Sequence, residues 1–141
     1  MDKAALDEQN RRVIEEFRRR GGRVGGDYEK IPLLLLHHVG AGTGTARVNP
    51  MAYLAVDGGY AVFATNGGAA HDPAWFHNLR AHPRVTIDLG TESLEVVARV
   101  LGGEERERVW AKQKAAVPVF AELERATTRE IPVVLLEPAP D

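Results

Sequence analysis

Cysteine is absent from the 141 residues, which removes disulfides, thiolate nucleophiles and zinc ribbons together and accords with a reducing cytoplasm. Charge of one sign is lacking too. The net charge is −2, so no basic face invites a nucleic acid. No long apolar run is present: a run such as residues 31–36 is far too short to span a bilayer. The first ten residues, MDKAALDEQN, hold no apolar stretch suited to a signal peptide. There is no Gly-Lys-Ser/Thr phosphate loop, no serine elbow, and no pair of helical histidines at metal-binding spacing. His37 and His38 are adjacent and diverge on a strand, and His71 and His77 lack the right separation, so no metal site is expected. These absences leave a cytoplasmic protein, or one that touches the inner face of a membrane only from the side. The length suits one domain with its own core.

What is present centres on two stretches. His37 to Pro50, HHVGAGTGTARVNP, is a glycine-rich loop between two apolar strands. Side chains are scarce there, so the backbone can approach a ligand closely, and successive exposed N–H groups form a concavity suited to an anion. The loop runs into a strand at Val48, whereas a dinucleotide-binding fingerprint opens a helix. The second stretch, Thr65 to Leu79, leaves a strand through Asn66-Gly67-Gly68 and enters a helix with Pro73 as its expected first residue and Asp72 as its cap. Together they read as a cradle for a phosphorylated, flat-ringed cofactor.

Along the chain, residues 3–20 read as a helix with Leu6, Val13, Ile14 and Phe17 on one face and arginines on the rest, stopped by Gly21-Gly22. It either docks on the core or rests, as a basic amphipathic helix, on anionic lipid. Strands are expected over residues 31–38, 48–56, 60–65, 85–89, 94–100 and 132–136. Four consecutive leucines in the first imply burial on both faces. In the fifth, Leu94, Val96, Ala98 and Val100 share one face. Asp57-Gly58-Gly59 makes a hairpin. Helices are expected over residues 73–81, from Glu104 to a break at Pro118, and over 119–126. Hairpins dominate and no βαβ series occurs, so the fold class is mainly β: a small barrel of about six antiparallel strands with an N-terminal helix and three further helices outside. Residues 1–22 form the amphipathic helix and 23–141 the barrel, a single domain overall.

The residues also carry a resemblance. Gly21 to Gly26, Pro32 to Leu36, Gly40 with Thr43-Gly44, Arg47 to Pro50, Asn66-Gly67-Gly68, Pro73 to Leu79, His82 to Val85 and Arg129 to Val134 stand in one order over nearly the whole chain. The sequence resembles the deazaflavin-dependent nitroreductase family, whose members use coenzyme F420 on a split β-barrel. The resemblance implies hydride transfer to a hydrophobic, electron-poor acceptor: a quinone, a nitro compound or an activated enone. By carry-over, Gly40, Thr43, Gly44, Arg47, Asn49 and Pro50 would hold the cofactor's phosphate tail and ring edge. Thr65, Asn66, Gly67 and Gly68 would line its other side, with Trp75, Asn78 and Leu79 beside the ring.

The chain departs from the family pattern in places. Ala41-Gly42 stands where a basic residue usually precedes Thr-Gly, and Asn66 where Lys often precedes Gly-Gly, which leaves Arg47 as the loop's clear cation. Val117, Phe120 and Leu123 occupy the acceptor-side positions where the family has tyrosines, so a greasy acceptor would meet no hydroxyl from them. His37 and His38 replace a threonine run, and with Tyr53 they are the candidate proton donors. Two further readings remain: a non-catalytic barrel binding an apolar ligand such as a fatty acid or haem, or an FMN enzyme of the same barrel type, usually built as a homodimer.

Overall fold

The four leucines open strand β1 (Leu33–Val39), and all four are buried, as a strand covered on both faces requires. In the computed structural model, which describes residues 3–140, their alternation divides two cores. Leu34 and Leu36 join the interior of a closed barrel, while Leu33 and Leu35 pack outward against Val13 and Phe17 of helix α1 (Lys3–Arg19). The other strands are β2 (Ala46–Val56), β3 (Gly59–Phe63), β4 (Arg84–Leu89), β5 (Glu92–Val100) and β6 (Val133–Pro138). All pairings are antiparallel, and the barrel closes in the order β1-β2-β3-β6-β5-β4.

The same period of two operates elsewhere. Val62 and Val134 face the barrel interior, whereas Phe63 and Val133 face a second, outer core. That outer core is covered by helices α3 (Gly103–Ala116) and α4 (Val119–Arg125). Trp110 and Phe120 set their rings 5.6 and 5.7 Å from Phe63. Such ring pairs add about 0.5–1.5 kcal/mol each beyond their area. Helix α2 (Ala74–Ala81) stoppers one end of the barrel by sending Phe76 and Leu79 into its interior. The expected barrel with four helices is therefore the observed one.

Several local expectations are corrected. Strand β2 begins at Ala46, because pairing with β1 persists to Val39↔Ala46. Strand β6 runs on to Pro138 through pairing with β5. Pro73 is extended and precedes α2, and Asp72 does not cap that helix because Arg129 holds its carboxylate at 2.7 Å. Val100 lies at the barrel rim, 49% exposed, beside Pro83 and Ala98 in a shallow groove.

Helix α1 buries Val13 and Phe17 but leaves Leu6 45% exposed. Its arginines are engaged locally: Arg11 with Glu8 and Glu15, Arg12 with Glu8, and Arg20 with Glu16. The helix ends where the Gly22 N–H meets the Phe17 carbonyl at 2.7 Å. Gly22 has φ +100°, and a Cβ there would lie 2.5 Å from Gly90 Cα, so only glycine lets α1 close onto the β4–β5 hairpin. Among the described residues no helix is long and apolar enough to cross a membrane.

Candidate functional site

A cleft of about 880 Å3 opens between α1, the loop joining β1 to β2, the turn after β3 and the start of α4. Its size suits an organic cofactor or substrate. The alternation of β1 decides which histidine enters it. His38 turns inward and is 3% exposed, lining the cleft's floor. Two asparagines fix its ring: Nε2 lies 2.7 Å from Asn49 Oδ1, and Nδ1 lies 3.0 Å from Asn78 Nδ2. An amide nitrogen can only donate, so Nδ1 accepts and Nε2 carries the proton that is given to Asn49. The imidazole is thereby held neutral. Burial pushes its pKa below the usual 6.5, against the opposing hydrogen bond to Asn49.

Asn78, on α2, uses its other atom as well. Its Oδ1 accepts the Ala41 N–H at 2.9 Å, so a single buried side chain ties the glycine loop to both α2 and β1. Within the loop, the Gly40 N–H bonds Thr45 and the Gly44 N–H returns to Gly40, each at 2.9 Å. The N–H groups of Gly42 and Thr43 have no protein partner among the described residues. A Cβ at Gly42 would meet nothing within 4 Å. Packing does not demand glycine there, and the open space is what close approach by a ligand would use. Arg47 borders the same end of the cleft, exposed and without an ion-pair partner among the described residues. Free N–H groups, a hydroxyl on Thr43 and an unpaired guanidinium form a donor set that suits a phosphate.

The second turn is braced by Arg129. Its guanidinium donates to the carbonyls of Ala64 at 3.0 Å, Thr65 at 2.9 Å and Ala69 at 3.0 Å, and to Asp72 at 2.7 Å. Asn66 bonds the His71 carbonyl at 3.0 Å, and Gly67 faces the cleft with φ +64°. Half-buried Trp75 supplies a flat wall beside them. Nothing local in the sequence announces Arg129 as a brace, because its partners lie about sixty residues earlier in the chain.

The cleft's other half is apolar. Tyr28, Ile31, Val13 and Leu33 pack together, Phe63 and Phe120 pack together, and Ala52 touches both groups. Leu6, Val119 and Leu123 complete this wall. Helix α1 therefore contributes Lys3, Leu6, Asp7, Asn10 and Val13 to the cleft. Leu6 and Val13 belong to the apolar face that helical spacing predicts, whereas Lys3, Asp7 and Asn10 lie outside it.

Of the residues predicted from the sequence, His38, Gly40, Thr43, Arg47, Asn49, Pro50, Thr65, Asn66, Gly67, Trp75, Asn78, Phe120 and Leu123 line this cleft. Others do not. Gly44 closes the loop from behind, and Gly68 packs against α4 near Ala126. Leu79 is buried in the barrel interior, since α2 points it there with Phe76. Val117 packs into the outer core beside Trp110 and Phe120. His37 faces outward from the barrel, 2.7 Å from Asp88. Tyr53 turns inward, its ring 5.7 Å from Tyr60, and burial pushes its hydroxyl pKa up. Two of the three candidate proton donors thus lie off the cleft, and the third is locked in its neutral form. Among the described residues no group of three His, Cys, Asp or Glu could hold a metal ion.

The His38 environment has a pH signature. The unfolded chain takes up a proton near the ordinary pKa, whereas folded His38 resists it, so stability is complete above that value and falls as pH drops toward the folded pKa. Asp88 acts in the same direction at more acid pH. Burial raises its pKa, but the hydrogen bonds from His37 and Ser93 outweigh that and lower it. Thermal melts from pH 7.5 to about 5 should show a falling midpoint, and His38→Gln, which cannot titrate, should flatten the upper part of that limb.

Comparison with known proteins agrees with this geometry. Residues 9–138 match the F420H(2)-dependent quinone reductase family. An F420H(2)-dependent quinone reductase of Mycobacterium tuberculosis is 32% identical over 124 residues, covering 85% of this chain and 83% of the relative. A solved F420-H2 dependent reductase is 37% identical with a TM-score of 0.69, over 75% of this chain and 94% of that one. A second solved chain, described as a domain-swapped dimer, is 34% identical with a TM-score of 0.70, over 95% and 98%.

Proposed function

The chain belongs to the F420H(2)-dependent quinone reductase family, and from that premise we propose that it reduces an apolar quinone held against α1 and α4. Coenzyme F420, when bound, supplies the hydride. The observation that carries this reading is the continuity of one cleft, donor-lined at the glycine loop and apolar at the helices. Gly42, Thr43 and Arg47 would receive the cofactor's phosphate, and Trp75 would flank its ring. Leu6, Ile31, Phe120 and Leu123 would seat the acceptor and keep water from the reacting faces. Holding two reactants in contact is the protein's main contribution to rate, because the redox chemistry is the cofactor's own.

This reading takes the place of a non-catalytic binder of fatty acid or haem, and of a flavin enzyme. Nitro compounds and activated enones are electron-poor in the same sense and belong to the proposed acceptor range, although the family's name supports quinones first. The domain-swapped relative supports a homodimer. The test is anaerobic mixing of the protein with reduced F420 and a short-chain quinone, with a nitroaromatic and an enone in parallel. Catalytic return of the oxidised deazaflavin's visible absorption with the quinone is the expected result. No turnover with any acceptor, although F420 binds, would reject the reductase reading.

A further inference from the structure

Converting a quinone to a hydroquinone takes one hydride and one proton, and the groups that line the cleft's floor do not release a proton. His38 is neutral, with its only N–H committed to Asn49. His37 and Tyr53 lie elsewhere. Lys3 sits at the exposed mouth, paired with Asp7 at 3.0 Å. Asn10 is an amide with no acidic proton, and it also borders the groove outside the cleft, beside Arg47.

One tyrosine lines the apolar half. Tyr28 ends the short 3-10 turn Gly26–Tyr28, and its ring packs with Val13, Val24 and Leu33. It is half-buried and lines the cleft. Among the described residues no group hydrogen-bonds its hydroxyl. The hydroxyl is not among the buried side-chain atoms left without a partner, so it keeps access to solvent through the cleft. Its apolar neighbours Ile31, Leu33, Ala52 and Val13 offer no side-chain acceptor, and on the facing stretch of α1 the Asp7 carboxylate is paired with Lys3.

We propose that Tyr28 is a catalytic residue of the reductase, donating its phenolic hydrogen to the carbonyl oxygen of the bound quinone. The inference rests on the quinone reductase reading and deepens it. The step balances as follows. The hydride and its two electrons come from the reduced deazaflavin, which is oxidised, and the quinone is reduced. The Tyr28 O–H bond breaks as the new O–H bond on the acceptor forms, and the phenolate regains its proton from solvent at the mouth. The turn that carries Tyr28 is anchored at Gly25, whose N–H bonds Glu16 at 2.8 Å, so α1 and the tyrosine are positioned together.

Tyr28→Phe keeps the ring and its packing, which makes it the decisive variant. Quinone binding is read first on protein without cofactor, by quenching of tryptophan fluorescence, since Trp75 lines the cleft. The expected result is a quinone Kd weakened about three- to tenfold, the worth of one hydrogen bond. With the cofactor present, kcat should fall tenfold or more and the pH profile of kcat should change, while F420 affinity stays as in the wild type. An unchanged quinone Kd overturns the contact, and a kcat within twofold of wild type overturns the proton transfer. If the wild-type protein turns over no quinone, the reductase reading fails, and the cofactor-free Kd of Tyr28→Phe still decides whether the hydroxyl meets the acceptor.

Discussion

Asn78→Leu is expected to lower the melting midpoint by about 5–10 °C and to weaken F420 binding tenfold or more. The substitution nearly conserves volume, so packing around α2 is little disturbed. It removes both partners that Asn78 serves. His38 Nδ1, buried at the cleft floor, loses its donor, and the Ala41 N–H loses its acceptor. A buried polar atom left without a partner costs about 1–3 kcal/mol, whereas the exposed Ala41 N–H can turn to water. The stability loss therefore comes mostly from His38. The affinity loss has a different origin. Without the tether to Ala41, the glycine loop must be ordered by the ligand itself, and that ordering is subtracted from binding. Melts of the protein without cofactor separate the first effect, and titration with F420 the second. A variant that melts lower but binds F420 as tightly as the wild type would mean that the loop is set by its own internal bonds alone.

This tether also marks the boundary of what the sequence discloses. The barrel was legible because its signals are local: alternation in β4 and β5, a run of leucines covered on two faces, glycine turns at hairpins. The resemblance named Asn78 as a neighbour of the cofactor ring, yet its hydrogen bonds reach thirty-seven and forty residues back along the chain. No periodicity encodes such a pairing. Arg129 is the same case at larger separation, drawing Asp72 away from the cap position that the local sequence suggested. Leu79, expected beside the cofactor ring, lies in the barrel interior. Consecutive positions on a helix are turned about 100° apart, so Asn78 meets the loop while Leu79 enters the core. His37 and His38 diverge as a strand requires, and only the strand's phase tells which one turns inward. Leu6 was visible as apolar, and only the fold gives it a role at the cleft mouth.

The charge of the cofactor site rests on a single side chain. Gly42 leaves open space at the loop, and Asn66 is neutral. Arg47 is thus the guanidinium at the loop, unpaired among the described residues and bordering both the cleft and the groove beside α1. A charge-assisted bond is about twice as strong as a neutral one, and no second cation on the loop shares the load. Arg47→Ala should therefore weaken F420 binding about ten- to a hundredfold, with little change in the melting midpoint, since Arg47 makes no ion pair among the described residues. The effect should shrink as salt is raised, because the site is open to solvent.

Titration of the wild-type protein and Arg47→Ala with oxidised F420, with FMN in parallel, tests the account most directly. Micromolar or tighter binding of F420 by the wild type, much weaker binding of FMN, and a loss of at least tenfold in the variant are expected. Equal affinity of the two proteins for F420, or a preference for FMN, would contradict it.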